Sequence, residues 1–553
     1  MAFSASMMLS DLDYIAPSQA CILPALKSNK ANKDAAAKAG GESGGVFRHV
    51  DGAAPPVEDI VKITLADCLA CSGCVTTAET LLVTHQSKEE IMNMLKICTE
   101  PSEEQPQPPG VPTIVVSISD QSLSSIAVQM GRPIADTASC ISGFCREVMK
   151  ASFVVEMRWA RRAALVATAE EFLHRLNNEP NRLPMIVSSC PGWVCYAEKT
   201  HPNLIPLLST VMSPQAIVGG YVKRYLPTIN PELGKLYHIS VQPCFDKKLE
   251  AARGDFTVEA TEERDTDCVL SSQELYEWMK EVDPSLPWSG PLDSRPDAVR
   301  ESAPQTVATQ LEGSHGYHQA VMQEVAKRRL GKPLPLEAIE YSQKRNANHR
   351  VATFPFAEIQ DSEFCVAYGF QHIQNIVRGL NRKMTSTKKY QFIELMACPD
   401  GCLNGGGQIR TSDHRATLNN VNSRYEAYNA ELAVGPKGCS SNAEQQIEDD
   451  SPPSPAVVAS DSDDAPPIHK RRMEGAGASG RGASAGLERL EIRDHYHRAT
   501  PLFSFASLQD WVRSCGQSGD IASLPPVLTT EFHDRKKEME DEPSQALLQS
   551  LKW

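Results

Sequence analysis

The residues best suited to chemistry are two cysteines in a glycine-rich turn, Cys398-Pro-Asp-Gly-Cys402. An apolar-leaning run over 390–397 leads into the turn and predicts a strand, and three glycines at 405–407 follow it. Glycine lets a backbone approach a bulky group without a clash of its Cβ atom. The pattern therefore indicates a metal ion or metal cluster. A buried thiol pair beside a flexible loop is the alternative, and it would suit a single cysteine better.

Two further cysteines, Cys190 and Cys244, also come directly after predicted strands. Ligands of α/β proteins collect where the strands end, so these cysteines are expected to meet Cys398 and Cys402 there. Four thiolates are the ligands that a [4Fe-4S] cluster requires. Lys247 and Lys248 follow Cys244, and a cation there could offset cluster charge. From the residues alone, a solvated lysine pair is the expectation.

A third group of cysteines lies near the amino end, at Cys68, Cys71 and Cys74. Three thiolates within seven residues can bind three irons of one cubane. Ala78 stands where the bacterial ferredoxin run has its next cysteine, so a fourth sulfur must come from elsewhere. Cys21 is the first candidate and Cys98 the second. Zinc is the rival metal, but Cys₄ zinc sites usually consist of two separated pairs.

Composition narrows the functional class. The chain has 553 residues and a formal net charge of −14, which argues against nucleic acid as the main partner. Residues 1–26 lack the basic and apolar regions of a signal peptide, and their acids and lack of arginine argue against a mitochondrial transit peptide. The sequence contains no apolar run long enough to span a membrane. Clustered cysteines in a reducing compartment are more often metal ligands than disulfides.

Alternating strand and helix patterns predict an α/β fold. We expect an N-terminal Fe–S segment with a linker at 1–110 and an α/β core at 111–435. A disordered low-complexity insertion is expected at 436–486, and a C-terminal helical part of the core with its tail at 487–553. The basic triplet at 470–472 is expected to be solvated rather than a nuclear signal.

Apolar patterning also predicts two long helical stretches within the core. One covers 147–178 and the other covers 365–381. The remaining cysteines are expected to be buried or incidental thiols, at positions 98, 140, 145, 195, 268, 365, 439 and 515.

Three stretches resemble the signatures of iron-only hydrogenases. They are Ser189-Cys190-Pro-Gly-Trp193, Pro243-Cys244-x-x-Lys247-Lys248-x-Glu250 and Met396-Ala-Cys398-x-x-Gly-Cys402-x-x-Gly405-Gly-Gly407-Gln408. The N-terminal Asp67-Cys68-Leu-Ala-Cys71-Ser-Gly-Cys74 resembles the eukaryotic branch of that family, the hydrogenase-like cytosolic Fe–S assembly factors, also called nuclear prelamin A recognition factor-like. Three spaced signatures in order are specific.

The resemblance implies a two-lobed hydrogenase-like core with two [4Fe-4S] clusters. One cluster would be bound by Cys21, Cys68, Cys71 and Cys74, and a more buried one by Cys190, Cys244, Cys398 and Cys402. It also implies a cytoplasmic carrier or adaptor that links an early scaffold to a late targeting complex, including a WD-repeat subunit. That complex matures cytosolic and nuclear Fe–S proteins. The resemblance does not decide whether the carrier itself is also present in the nucleus.

Two departures from the hydrogenase pattern argue against catalysis. Ser189 replaces the cysteine that relays protons to the di-iron subsite, and a hydroxyl is a poor relay near neutral pH because its pKa is much higher. Gln242 replaces a methionine. We therefore expect a protein that is not an enzyme. The alternatives are an active hydrogenase or other Fe–S redox enzyme, and a zinc-dependent interaction protein.

Trp553 resembles the short aromatic-ended tails by which Fe–S clients dock on the targeting complex. The alternative is a frayed terminus without a role. Deleting Trp553 is expected to weaken co-purification with the targeting complex while both clusters are retained. Lys552→Ala, which keeps the aromatic ring and carboxylate, is the control. A pull-down unchanged by the deletion would reject the docking role.

Overall fold

The computed structural model describes residues 83, 85–100, 110–258, 261–293, 313–356, 362–434, 503, 509–512, 528–535 and 537. The predictions for Cys21, Cys68, Cys71 and Cys74, for 436–486 and for Trp553 concern residues outside these ranges. Within the described ranges, no helix has the length and apolar character needed to cross a bilayer.

The helices of the described residues are α1 (Lys88–Thr99), α2 (Asp120–Met130), α3 (Ile134–Glu147), α4 (Arg158–Asn178), α5 (Pro191–Thr200), α6 (Pro214–Gly220), α7 (Leu226–Ile229), α8 (Asp246–Ala251), α9 (Ser272–Val282), α10 (Tyr317–Leu330), α11 (Phe370–Asn381) and α12 (His414–Val434). The strands are β1 (Thr113–Ile118), β2 (Phe153–Glu156), β3 (Met185–Val187), β4 (Leu236–Gln242), β5 (Thr257–Val258), β6 (Glu263–Arg264), β7 (Cys268–Ser271), β8 (Glu340–Gln343), β9 (His349–Thr353), β10 (Glu363–Tyr368) and β11 (Tyr390–Met396).

Two separate sheets, here called sheet one and sheet two, carry the fold. Sheet one has the order β2-β1-β4-β7, and its strands are all parallel. Sheet two has the order β3-β11-β10-β9-β8, in which β3, β11 and β10 are parallel and the outer two strands are antiparallel. Parallel strands need crossover helices, which accounts for the alternating order. The α/β prediction is confirmed.

Both long helix predictions were partly wrong. Residues 153–156 form β2, which pairs with β1 from Val115↔Phe153 onward. Residues 363–368 form β10, and Gly369, at φ +92°, separates this strand from α11. Both strands are almost wholly buried, so their sequences show no polar alternation. A short apolar run of this kind cannot be distinguished from a buried helix by periodicity.

A buried ion pair on α4 supports the strand that leads to Cys190. Arg175 donates to Glu171 at 2.5 Å and to the Leu208 carbonyl at 2.5 Å. Glu171 accepts from the Ser209 hydroxyl at 2.5 Å, and the Ser209 amide donates to Ile186 of β3 at 2.7 Å. The side chains of Arg175 and Glu171 are only 1% and 4% exposed, so each charge depends on its partner.

Arg175→Met is therefore expected to destabilise the fold strongly, because it leaves the Glu171 carboxylate buried without a countercharge. The expected loss in free energy of unfolding is about 3–5 kcal/mol, measured by urea denaturation of the anaerobic protein. Arg329→Met on the exposed end of α10 is the matched control, with an expected change within about 0.5 kcal/mol. Equal midpoints for the two variants would contradict this role.

Candidate metal centre

Three strand ends bring four cysteines together. Cys190 follows β3 and directly precedes α5, Cys244 follows β4, and Cys398 and Cys402 follow β11. Burial, and then the negative charges of Asp246 and the other three cysteines, raise the pKa of the Cys244 thiol well above its ordinary value. The thiols at positions 190, 244, 398 and 402 therefore lie near one another, where the strand-end argument predicts them.

Hydrogen bonds join the loops that carry the cysteines, both within sheet two and between the two sheets. The Ser188 hydroxyl donates to the Leu395 carbonyl of β11 at 2.6 Å and accepts from the Cys190 amide at 3.1 Å. The Gly407 amide donates to the Pro243 carbonyl at 2.9 Å. The first pair of bonds positions Cys190 beside the end of β11. The last bond holds the cysteine turn of sheet two against the Pro243-Cys244 turn of sheet one.

Glycines make this approach possible. A Cβ atom at Gly405 would lie 2.2 Å from the Pro243 carbonyl oxygen, closer than any real contact. Gly401 has a φ of +78°, and a Cβ there would lie 1.6 Å from the Ser314 hydroxyl. That hydroxyl accepts a hydrogen bond from the Cys402 amide at 3.0 Å. Side chains at either glycine would push the cysteine turn away from its neighbours.

Burial dominates the electrostatics of the thiols. It raises the pKa of Cys190 to about 11, with Asp246 adding to the effect, and it raises the pKa of Cys402 to about 12. Without a metal, these groups are neutral thiols at pH 7. Iron binds the thiolate form, so cluster binding must displace their protons.

Lys247 and Lys248 are buried, so the expectation of a solvated pair was wrong. Lys247 is 5% exposed and forms an ion pair with Glu250 at 2.8 Å. Lys248 is 1% exposed, and it contacts Glu274 and the Gln86 carbonyl at 2.7 Å each. The positive charge of Lys247 favours the Cys402 thiolate by lowering its pKa. Lys247 therefore supplies the compensating cation that the sequence left open.

The donor set suits an iron–sulfur cluster. A cubane takes one protein sulfur at each of four corners, so its ligands surround it and need not converge on one point. Among the described residues, no three Cys, His, Asp or Glu side chains are placed to hold a single metal ion. The four thiols and the nearby buried cation of Lys247 fit a [4Fe-4S] cluster in ligand number and in charge.

Sequence reasoning missed a buried carboxylate beside the cysteines. Glu394 on β11 is fully buried, and its charge raises the pKa of Cys402. It accepts hydrogen bonds from the Tyr368 hydroxyl at 2.9 Å and the His318 amide at 2.9 Å, and its carboxylate lies 2.6 Å from His318 Nδ1. The available signal was that Glu394 is the only charged residue between Tyr390 and Met396.

Among the cysteines predicted to be incidental, five are buried and unpaired by disulfides, at positions 140, 145, 195, 268 and 365. Cys98 is partly exposed on α1, with its sulfur 4.0 Å from that of Met94. Positions 439 and 515 lie outside the described residues. The prediction is thus confirmed for the buried five.

Gly405→Ala is expected to lower iron and acid-labile sulfide at this site without removing a ligand, because the new methyl group displaces the cysteine turn. The measurement is iron and sulfide per chain after anaerobic reconstitution. Gly331→Ala is the control for general destabilisation: its φ of +63° strains an added Cβ, but no atom lies within 4 Å and the residue ends α10 outside the cysteine turn, so its iron should stay at the wild-type level. Equal iron in the Gly405→Ala variant and the wild type would show that the contact does not matter.

Comparison with known proteins identifies the family of this chain. The family model for the C-terminal domain of the iron-only hydrogenase large subunit matches residues 112–406. The cytosolic iron-sulfur assembly component 3 of Rattus norvegicus is 38% identical over 422 residues, which cover 74% of this chain and 85% of that one. The cytosolic Fe-S cluster assembly factor narfl of Xenopus tropicalis is 38% identical over 424 residues, with the same coverage.

A solved structure of the apo [FeFe]-hydrogenase HydA1 from Chlamydomonas reinhardtii is also similar, at 24% identity and a TM-score of 0.49. The matched region covers 61% of this chain and 88% of the hydrogenase chain. The family match extends over more than half of the 553 residues and contains Cys190, Cys244, Cys398 and Cys402. This chain belongs to the iron-only hydrogenase-like family that includes the cytosolic iron–sulfur assembly components.

Proposed function

We propose that this protein is a component of the cytosolic machinery that assembles iron–sulfur clusters. It binds two [4Fe-4S] clusters and links an early scaffold to a late targeting complex. The observation that carries the proposal is the meeting of four cysteine thiols just beyond the ends of β3, β4 and β11, in a chain whose relatives are named assembly factors.

The deeper cluster is assigned to Cys190, Cys244, Cys398 and Cys402. Bound there, a [4Fe-4S] cluster supplies one-electron redox chemistry or serves as cargo for transfer. The loops of the two sheets hold the thiols, and Lys247 balances part of the thiolate charge. Ser314 positions Cys402 through the 3.0 Å hydrogen bond to its amide.

The second cluster is assigned to Cys21, Cys68, Cys71 and Cys74. Its support is the Cys-x₂-Cys-x₂-Cys spacing and the resemblance to the assembly-factor branch. Trp553 is proposed as a docking residue for the targeting complex. Cytoplasmic location follows the names of the relatives.

Hydrogen turnover is the alternative, and the site argues against it. Ser189 is 4% exposed and lies next to Cys190, where a hydroxyl replaces the proton-relaying thiol. A cavity lined by polar side chains, among them Asp120, Gln242 and Lys247, has room for about one water molecule. Gln242 donates to Ser240 at 2.9 Å within the protein. Because Ser189 and Gln242 stand where the hydrogenase pattern has Cys and Met, we assign the chain no catalytic residues.

Single cysteine substitutions should separate the two clusters. In anaerobic EPR and Mössbauer spectra, Cys71→Ala is expected to lose one cluster's signal and Cys398→Ala the other. Each loss corresponds to about half of the iron because one thiolate is missing from each ligand set. Cys21→Ala should behave like Cys71→Ala.

Cys98→Ala is the control, because Cys98 lies on α1 and is the other candidate for the fourth N-terminal sulfur. Loss of signal in Cys98→Ala and its retention in Cys21→Ala would reverse that assignment. Zinc without sulfide in the wild type would contradict the cluster proposal. Sustained hydrogen evolution by the wild type would contradict the assembly role and favour the hydrogenase.

A further inference from the structure

We propose that His349 and His372 form a binding site for a divalent transition-metal ion, separate from the four cysteines. His349 opens β9, and His372 lies in the first turn of α11. The site would take an ion that prefers imidazole nitrogen, such as Zn²⁺, Co²⁺ or Fe²⁺, with water at the remaining positions.

The spacing of the two rings suits a shared ion. Their centroids lie 5.4 Å apart, and the ring planes are inclined at 50°. Two imidazoles that bind one ion at about 2.0–2.1 Å in tetrahedral geometry have centroids about 5 Å apart. The ring separation is therefore compatible with a shared ion, although His349 lies in sheet two and His372 lies on helix α11.

Three of the four ring nitrogens lack a hydrogen-bond partner in the structure. Both ring nitrogens of His349 and Nδ1 of His372 are buried and make no hydrogen bond in the structure. The whole His372 residue is 5% exposed. A buried polar atom without a partner costs about 1–3 kcal/mol, so a pair of such rings is costly unless something binds between them. A metal ion would satisfy one nitrogen of each ring.

Both imidazoles are kept in the neutral form that binds metals. Burial, then His372, Arg345 and Lys344, lower the pKa of His349 to about 4. Burial and Arg345 lower the pKa of His372. Arg345 and Lys344 also repel a cation, but both are exposed and water screens their charge. The requirement for neutral ligands is met at pH 7.

The histidine pair adjoins the turn that carries Cys398 and Cys402. Asn348 precedes His349 and forms two hydrogen bonds with Asp400 of that turn, at 3.2 and 2.7 Å. Gly369, just before α11, packs on Pro399 of the same turn. An ion bound by the two histidines would therefore join the two segments that flank the cysteine turn.

The test uses the full chain, purified anaerobically and reconstituted until iron and sulfide are constant, and titrated with Co²⁺ against a chromophoric chelator. Wild type is expected to bind one Co²⁺ at least tenfold more tightly than His349→Gln or His372→Gln. His174→Gln is the matched control, because its side chain is 59% exposed and distant in sequence. Iron and sulfide should be unchanged in all four proteins.

His372→Cys gives an independent readout, since a thiolate ligand adds a thiolate-to-cobalt charge-transfer band that the wild type lacks. Its appearance supports the site. Absence of the band, equal Co²⁺ affinity in wild type and both glutamine variants, or no binding by the wild type would each overturn the proposal. The last result would mean that ordered water satisfies the imidazoles. None of these outcomes depends on the cluster assignment.

Discussion

The structure depends on the contact between the cysteine turn of sheet two and the Pro243-Cys244 turn of sheet one. Each sheet supplies only part of the ligand set, so no four-thiol site exists until the turns meet. The meeting is close, because Gly405 leaves no space for a Cβ against the Pro243 carbonyl. The hydrogen bond from Gly407 to the same carbonyl holds it. The four-thiol group therefore exists only where both sheets are folded.

Burial creates an electrostatic cost that the surrounding residues must meet. Desolvation disfavours the thiolate at Cys190, Cys244 and Cys402, and nearby carboxylates add to this effect. Lys247 acts in the opposite direction at Cys402. We expect a site of this kind to hold neutral thiols when empty, since a bound metal would be needed to stabilise the charged form.

The elements that lead to the site were largely predictable. Strands β3, β4 and β11 have β-branched or apolar runs bounded by turn residues, and each is followed within three residues by a cysteine. By contrast, β2 and β10 were assigned to helices. A strand that is buried on both faces shows no alternation of polar and apolar residues, and its pairing partner lies far away in the sequence.

The sequence alone indicated which residues are suited to binding iron, because thiol chemistry and cysteine spacing are local and need no knowledge of packing. It also indicated which strands deliver them. The environment of those thiols emerged only from the folded chain: Lys247 is buried rather than solvated, and Glu394 lies near Cys402. The contact between His349 and His372 also emerged only there. Burial and charge depend on residues that are distant along the chain, so a local pattern contains no record of them.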